Sequence, residues 1–568
     1  MIGWARVAGV GLCLLVTSAW SQTNVLLLLA DDIGVDRVGA YGEHPDPGHT
    51  PVIDGLAASG ILFRNAWSTP VCSPTRACIL TGQYPSRTGV GNAMFPDKDK
   101  HELWDGEVTL PHLLEPGVAT LLVGKWHLGL HQPAVLPGLG SGLMHPLACG
   151  FRHWTGNFWV LQQKAIGDGY TNWVEVVDGV PSPSTVYNTT AIVDSALGLI
   201  ASTPEPWFLE VAFNAPHMPF HKPPPELHTF SLPQEVKFDI PVHVKAAIEA
   251  MDTEIGRLLA SMDPAVLANT VIIFAGDNGT DKLATTEPFV ASHGKGTLYE
   301  GGINVPLIVS GKGVAAGAEC TSLVSLTDLF ATVAELESVP QTTGLDSVSL
   351  VPYLTHPLQP SLRQTVFSEW FVPPGFPPYA EHHRAVRDER FKLVRHEKKG
   401  VTSEEFFDLD ADPFELQDLL QAPLGPKAAI EYGQLSTAIE LQPEPFNATG
   451  IGMAGQLGEP RLSGAGDLSP GTPLSLEMEA ACPLAPALLF LGQAWLGTAF
   501  HGGVLGPKVL LAFPPMVTDS DGRLETRGLW PEDVPPGMQI ILQFWLHDPA
   551  SLTGYAASNE LVIMTPGP

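Results

Sequence analysis

Two stretches constrain the fold of this chain more than any others. "TNVLLLLADDIG" (residues 23–34) and "NTVIIFAGDNG" (269–279) each run through an unbroken apolar segment of strand length. Each then stops at a pair of oxygen-bearing residues, Asp31–Asp32 in the first and Asp277–Asn278 in the second. A strand that is apolar at every position is buried on both faces, as in a parallel sheet covered by helices. Between the two lie helical patterns such as "TPVIDGLAASG" and "HVKAAIEAMDTEIGRLLASM". Strand–helix alternation predicts an α/β layer fold. Ligands of such sheets gather at the carboxyl ends of the strands, so the two polar pairs are predicted to converge.

The rest of the chain divides by composition. "MIGWARVAGVGLCLLVTSAWSQT" has one Arg, a short apolar run and small residues at Ala19 and Ser21. It reads as a secretory leader over 1–21, too short to span a bilayer, which places the mature protein in the periplasm, outside the cell or on its surface. The α/β unit is assigned to 22–355. From 356 to 442, "TVFSEWF", "HRAVRDERFKLVRHE" and "EEFFDLDADPFELQDLL" read as short strands, a hairpin and a terminal helix, a small antiparallel α+β subdomain. A Gly/Pro-rich linker over 443–454 leads to an all-β, sandwich-like domain over 455–568, with strands such as "PLSLEMEA", "ALLFLG", "KVLLAF" and "QIILQFWLHD".

Charge excludes one class of partner. Sixty acidic residues against 30 basic ones give a net charge of -30 with no basic stripe, which argues against nucleic acid. Apart from Cys13 in the leader, five cysteines remain: Cys72, Cys78, Cys149, Cys320 and Cys482. An odd number in an exported chain leaves at least one thiol unpaired, and none has zinc spacing. Cys72 stands out because it opens "CSPTR", followed by "LTGQYPSRTGV". From the residues alone it could be a core residue, a disulfide partner, a metal ligand or the precursor of a modified group.

"CSPTR" and the stretch after it resemble the signature of the type I sulfatases, in which the cysteine is oxidised to formylglycine. "NVLLLLADDIG", "TPVIDGLAASG", "GKWHLG", "AFNAPHMPFH", "AGDNG" and "GKGTLYEGGINVP" are similar to the family's other blocks, in the family's order, over roughly residues 22–440. The resemblance implies the alkaline phosphatase superfamily fold and hydrolysis of sulfate monoesters, of sulfated glycans or of aryl sulfates. It implies Asp31, Asp32, Asp277, Asn278 and the modified Cys72 as ligands of Ca²⁺, with Mg²⁺ as the alternative. All-oxygen donors suit such hard cations. It also implies a formylglycine-generating enzyme as the maturation partner.

The chemistry explains the residue types. A hydrated aldehyde at position 72 offers one hydroxyl to attack sulfur and a second whose deprotonation expels sulfate, an exit that a plain Ser or Cys lacks. By the same resemblance Arg76 holds that group, Lys125 contacts the diol or the sulfate, and His127 is the base for the diol. His217 and Lys295 contact the bridging oxygen, either supplying the leaving-group proton. Arg76, Lys125, Lys295 and the metal are expected to form a positive pocket in an acidic protein. His221 and His293 are expected to line the entrance. Two positions depart from the family pattern: Thr75 stands where Ser is commoner, and Asn304 where Arg is frequent. Cys78, Cys149 and Cys320 are expected to be buried structural residues. The all-β segment weakly resembles a module of exported planctomycete-type proteins, read here as a stabilising appendage before adhesion, surface sorting or glycan binding. Two readings remain beside the sulfatase: a phosphonate or phosphate ester hydrolase with the same nucleophile, and a non-catalytic protein that binds sulfated glycan.

Overall fold

Strand β1 (Asn24–Asp31) is buried at every position. Val25, Leu27 and Leu29 point into one apolar cluster, while Leu26, Leu28 and Ala30 point into a second on the opposite face. The chain has been analysed as a computed structural model that describes residues 23–95, 98–99, 101–103, 105, 107–130, 142–161, 169–339, 346–375, 379–440, 446–449, 453–455, 459–465, 473–500, 503–530, 534, 539–551 and 553–564. The leader expected over 1–21 lies outside these residues. Among them, no helix is long and apolar enough to cross a membrane.

The main sheet adds β2 (Ile61–Trp67), β3 (Ala119–Lys125), β4 (His153–Asn157), β5 (Trp173–Val177), β6 (Val180–Ser184), β7 (Trp207–Pro216), β8 (Thr270–Gly276), β9 (Leu307–Gly311) and β10 (Ala318–Ser325). Their order is β10-β2-β9-β8-β1-β7-β3-β4-β5-β6. The centre, β8-β1-β7-β3-β4, is parallel throughout. The edges are mixed: β9 runs antiparallel to β8 and β2, β5 runs antiparallel to β4, and β6 runs antiparallel to β5. Helices Pro51–Ser59, Asn188–Ser202 and Ile240–Ser261 cover one face through Ile53, Ile192, Val244, Ile248 and Met251. Helices Cys72–Thr81 and Leu329–Leu336 cover the other through Ala77, Ile79, Leu80, Phe330 and Val333. This is the α/β/α sandwich expected from the apolar runs.

A second, antiparallel sheet follows: β11 (Val366–Val372), β12 (Glu381–Arg387), β13 (Phe391–Lys398) and β14 (Val401–Asp408). The terminal helix is Pro426–Glu440, seated on Phe391, Leu393 and Phe406 through Leu435 and Ile439. It begins beyond "EEFFDLDADPFELQDLL". In that stretch Asp418 accepts the amides of Phe406 and Leu420, and Asp412 accepts that of Gln417. Carboxylates that take backbone amides this way compete with a helix ladder. The C-terminal residues form two further antiparallel sheets. Leu462, Leu476 and Met478 of one pack on Leu489, Phe544 and Leu561 of the other, a sandwich. Its strand Phe446–Thr449 pairs with Glu560–Met564, inside the segment read as a linker.

All five described cysteines are free thiols. Asn188, which opens an Asn-Thr-Thr sequon, is wholly buried, so the folded chain cannot present it to a glycosylating enzyme.

The backbone is closely approached beside Lys125. Gly124 has φ of 108°, and a Cβ there would stand 1.9 Å from the Ala212 carbonyl oxygen on β7. Gly124→Ala is therefore expected to destabilise the protein by at least about 2 kcal/mol in a urea titration, through overlap and a left-handed backbone that disfavours a side chain. Stability within about 0.5 kcal/mol of the parent would show that the sheet can absorb the contact.

Candidate active site

Four neighbouring parallel strands, β8-β1-β7-β3, deliver the site from their carboxyl ends. Asp31 closes β1 and Lys125 closes β3; Asp277 and Asn278 follow β8, and His217 follows β7. Each of these strands is buried along its whole length, so the anchors are rigid. Cys72 is the first residue of the helix Cys72–Thr81, and Arg76 lies one turn further on, both buried. Lys295 reaches in from the loop after β8. The structure thus gathers Asp31, Asp32, Cys72, Arg76, Lys125, His127, His217, Asp277, Asn278 and Lys295 into one pocket.

Three carboxylates face three cations there. Lys125 Nζ lies 2.6 Å from Asp31 Oδ2, and Lys295 Nζ lies 2.5 Å from Asp32 Oδ1. Arg76 donates to Asp277 Oδ2 from Nη2 at 2.8 Å and from Nε at 3.1 Å, and to the Lys125 carbonyl from Nη1 at 3.1 Å. Burial pushes the Asp31 carboxyl up, but Lys125, His217, Arg76 and Lys295 outweigh it and hold the group well below the usual carboxylate range. Burial likewise disfavours the charged Lys295, and Asp32 overrides it, so the ammonium is held above its usual value. The positive pocket expected from sequence is thus balanced by its own carboxylates.

The pairing leaves one oxygen free on each of three residues. Asp31 Oδ1, Asp32 Oδ2 and Asn278 Oδ1 are buried and receive no hydrogen bond. Asn278 has turned its Nδ2 toward Asp32 Oδ1 at 2.8 Å, which leaves its carbonyl oxygen pointing elsewhere. Three dry, unpartnered oxygens in one pocket are costly unless a cation takes them, and hard oxygen donors fit Ca²⁺ or Mg²⁺. The donor atoms of Asp31, Cys72 and Asp277 also lie within 4.8 Å of one another, as do those of Asp31, Asp32 and His217. Asp277 is engaged on both oxygens, by Arg76 and by the Asp32 amide at 3.1 Å, so as a ligand it would use a remaining lone pair.

The two histidines have defined orientations. His127 Nε2 donates to the Met94 carbonyl at 3.0 Å, which leaves Nδ1, 3.2 Å from Cys72 Sγ, as the basic nitrogen. Burial, then Lys125, holds His127 well below the usual imidazole range, so it is neutral. His217 Nδ1 donates to the Met218 carbonyl at 2.6 Å, and its Nε2 faces Asp32 Oδ2 at 3.9 Å. Burial, then Lys295, lowers it as well. The Cys72 thiol is pushed up by burial against the pull of Lys125 and Lys295.

The remaining expectations resolve as follows. Thr75 spends its hydroxyl on Thr69, 2.7 Å from Oγ1, and shapes the approach to Cys72. Asn304 packs behind β2, opposite Trp67 and near the Arg64 carbonyl, away from the metal oxygens. His221 stacks on Tyr170 at 3.6 Å and His293 on Tyr299 at 3.7 Å, so both are held by their neighbours. Two buried residues escaped sequence reasoning. Asn157 sits beside Lys125 in the β3–β4 register and exchanges amide hydrogen bonds with Asn214 at 2.9 and 2.7 Å. Glu210, mid-strand on β7, points to the helix that carries Arg76, and its Oε2 has no donor. Neither lies in a motif block; only a polar letter inside an apolar strand marks Glu210.

Comparison with known proteins places the chain in a family. A family model described as Sulfatase matches residues 23–338, and one described as N-sulphoglucosamine sulphohydrolase, C-terminal, matches 291–432. The chain is 32% identical to human (Homo sapiens) N-acetylgalactosamine-6-sulfatase over 58% of its own length and 65% of that protein. It is 26% identical to human arylsulfatase A over 71% of its length and 84% of that protein. The crystal structure of Ps i-CgsB in complex with k-i-k-neocarrahexaose superposes with a TM-score of 0.59 at 24% identity, covering 74% of this chain and 92% of that one.

Glu210 gives a pH test. Burial raises its carboxyl to about 7, with Arg76 pulling the other way. The folded value exceeds the unfolded one, so stability is full below about pH 4.5 and is lost as pH rises through the folded value. The loss is on the order of 3 kcal/mol. Glu210→Gln lacks this titration. Its melting temperature relative to the parent is expected to climb between about pH 5 and about pH 8. A constant difference across that window would show that Glu210 does not titrate there.

Proposed function

This chain belongs to the sulfatase family, and from that premise we propose that it hydrolyses sulfate monoesters, with Cys72 as the nucleophile's precursor and a sulfated glycan as the substrate class. The observation that carries the reading is Cys72 Sγ, 3.2 Å from a His127 nitrogen whose proton has been placed elsewhere by Met94. Cys72 Sγ stands where a hydroxyl of the hydrated aldehyde would be. The carbohydrate assignment follows the names of the similar curated proteins, which cut sulfate from N-acetylgalactosamine.

Formylglycine at position 72 would supply a hydrated aldehyde whose two hydroxyls serve in turn as nucleophile toward sulfur and as the proton source that releases sulfate. Asp31, Asp32 and Asn278, with Asp277, would hold a divalent cation, Ca²⁺ by preference, which would polarise the sulfate oxygens. Burial, then Asp31, raises the Asp277 carboxyl to about 7 while Arg76 pulls it back toward the ionised form, and Arg76 also braces the Lys125 main chain, so the strand end and the helix start keep their spacing. Neutral His127 accepts a proton at Nδ1 while Nε2 stays bonded to Met94. Lys125 and Lys295 sit where negative charge develops, and the buried pocket makes their pull strong. Lys295, with His217 beside it, donates to the departing alcohol oxygen as the sulfur–oxygen bond breaks.

Two measurements test the reading. Protein made together with a formylglycine-generating enzyme is digested with trypsin, and the Asn65–Arg76 peptide is weighed. An aldehyde at Cys72 is expected, together with sulfate release from 4-nitrophenyl sulfate that falls at least about a thousandfold in Cys72→Ala. A peptide that keeps an alkylatable thiol, or a converted protein that binds sulfated glycan without turnover, would favour the binding protein. Faster turnover of 4-nitrophenyl phosphate or its diester would favour the phosphoester hydrolase.

Chelation is the second measurement. Removing divalent ions is expected to abolish turnover, with Ca²⁺ restoring it better than Mg²⁺, because Ca²⁺ tolerates the irregular set of oxygens found here. Full activity in excess chelator would remove the metal from the proposal.

A further inference from the structure

We propose that the buried ion cluster Lys392–Glu300–Glu415–Arg387 is a positioning device, through which the antiparallel β11–β14 sheet sets where Lys295 stands in the active site. Lys295 lies in a loop with little regular structure. Its own amide bonds to the Thr280 carbonyl at 2.9 Å, and the next amide, Gly296, bonds to the Pro70 carbonyl at 2.8 Å. Five residues on, Glu300 opens the helical turn Glu300–Ile303. Here the second sheet takes hold.

Glu300 Oε1 lies 3.1 Å from Lys392 Nζ and 3.1 Å from Trp67 Nε1, and Oε2 lies 3.3 Å from Arg387 Nη1. The Glu300 amide donates to Glu415, whose other oxygen is 2.8 Å from Lys392 Nζ. Lys392 Nζ also sits 4.8 Å from the Trp67 ring centre. The side chains of Lys392, Glu415, Glu300 and Arg387 are 0%, 1%, 5% and 6% exposed. Two carboxylates and two cations are thus sealed between the sheets.

An apolar filling of that space would be at least as stable, because desolvating four charges offsets most of their attraction. What ions supply instead is a fixed geometry. Trp67 ends the strand that leads to Cys72, and Glu300 ends the loop that carries Lys295. The cluster binds both and so fixes the distance between them. Tyr299, donating to Glu405 at 2.6 Å, and His293, 3.4 Å from the Phe414 carbonyl, extend the same wall along the loop.

The test uses Lys392→Met, and a double variant, Lys392→Met with Glu415→Gln, that removes one cation and one carboxylate together and so folds if the single variant does not. The first readout is hydrogen exchange. The peptide spanning 293–300 is expected to exchange about tenfold faster, while peptides from β1 are unchanged. The second rests on the sulfatase reading above. Turnover of an alkyl or sugar sulfate is expected to fall about tenfold more than that of 4-nitrophenyl sulfate, whose alcohol leaves with little need of a proton. Lys392→Arg is expected to restore both. Unchanged exchange at 293–300, exchange that rises equally in β1, or equal losses on the two esters would overturn the proposal. If the parent hydrolyses neither ester, the functional reading fails, and the exchange comparison still decides the positioning role.

Discussion

Everything in this pocket depends on how three buried carboxylates divide their oxygens. Asp31 gives one oxygen to Lys125, Asp32 gives one to Lys295, and Asp277 gives one to Arg76. Without those cations, three acids packed this closely would protonate, because like charges in a dry site cannot all ionise. With both oxygens of each acid spent on cations, no ligand would remain. The observed division sets a cation against each acid and still leaves Asp31, Asp32 and Asn278 each presenting one bare oxygen. These are the donors that the proposed divalent ion would use.

Such an arrangement needs rigid anchors, and the sheet supplies them. The residues that must not move stand at the ends of strands with no solvent on either face, or immediately after them. The histidines proposed to move protons are held by main-chain carbonyls: His127 by Met94, His217 by Met218. A carbonyl is a neutral acceptor that cannot itself titrate, so these bonds fix the imidazole tautomers without adding charge. Lys295, the proposed catalytic cation that stands on a loop, is also the one that the second sheet is proposed to brace from behind.

What was legible in the sequence was local. Unbroken apolar runs read as double-faced strands, and a polar pair at the end of each marked a strand's carboxyl end. Geometry then brought Asp31–Asp32 and Asp277–Asn278 together because β1 and β8 are neighbours. What was not legible came from contacts distant in sequence. The partners of Glu300 stand about ninety and more positions away, and nothing in "DERFKLVRHE" sets Lys392 apart from a solvated strand lysine. The terminal helix was placed too early because the acid-rich stretch before it has helix-like spacing, while its carboxylates cap turns. Asn188 opens a sequon, yet its side chain accepts from Asn214 inside the core, a contact 26 positions away that no local pattern shows.

The balance of charge also bears on how a chain with a net charge of -30 would take the anionic ester proposed as its substrate. At physiological salt the field of surface acids fades within about 8 Å, so the pocket is governed by its own groups. There each of three cations is already paired with a carboxylate. The cations alone therefore cannot attract sulfate, contrary to a simple count of Arg76, Lys125 and Lys295. On the proposed reading, the excess positive charge comes from the ion that the free oxygens would hold. Affinity for the substrate and occupancy of the metal site are then one property, set by the same three oxygens.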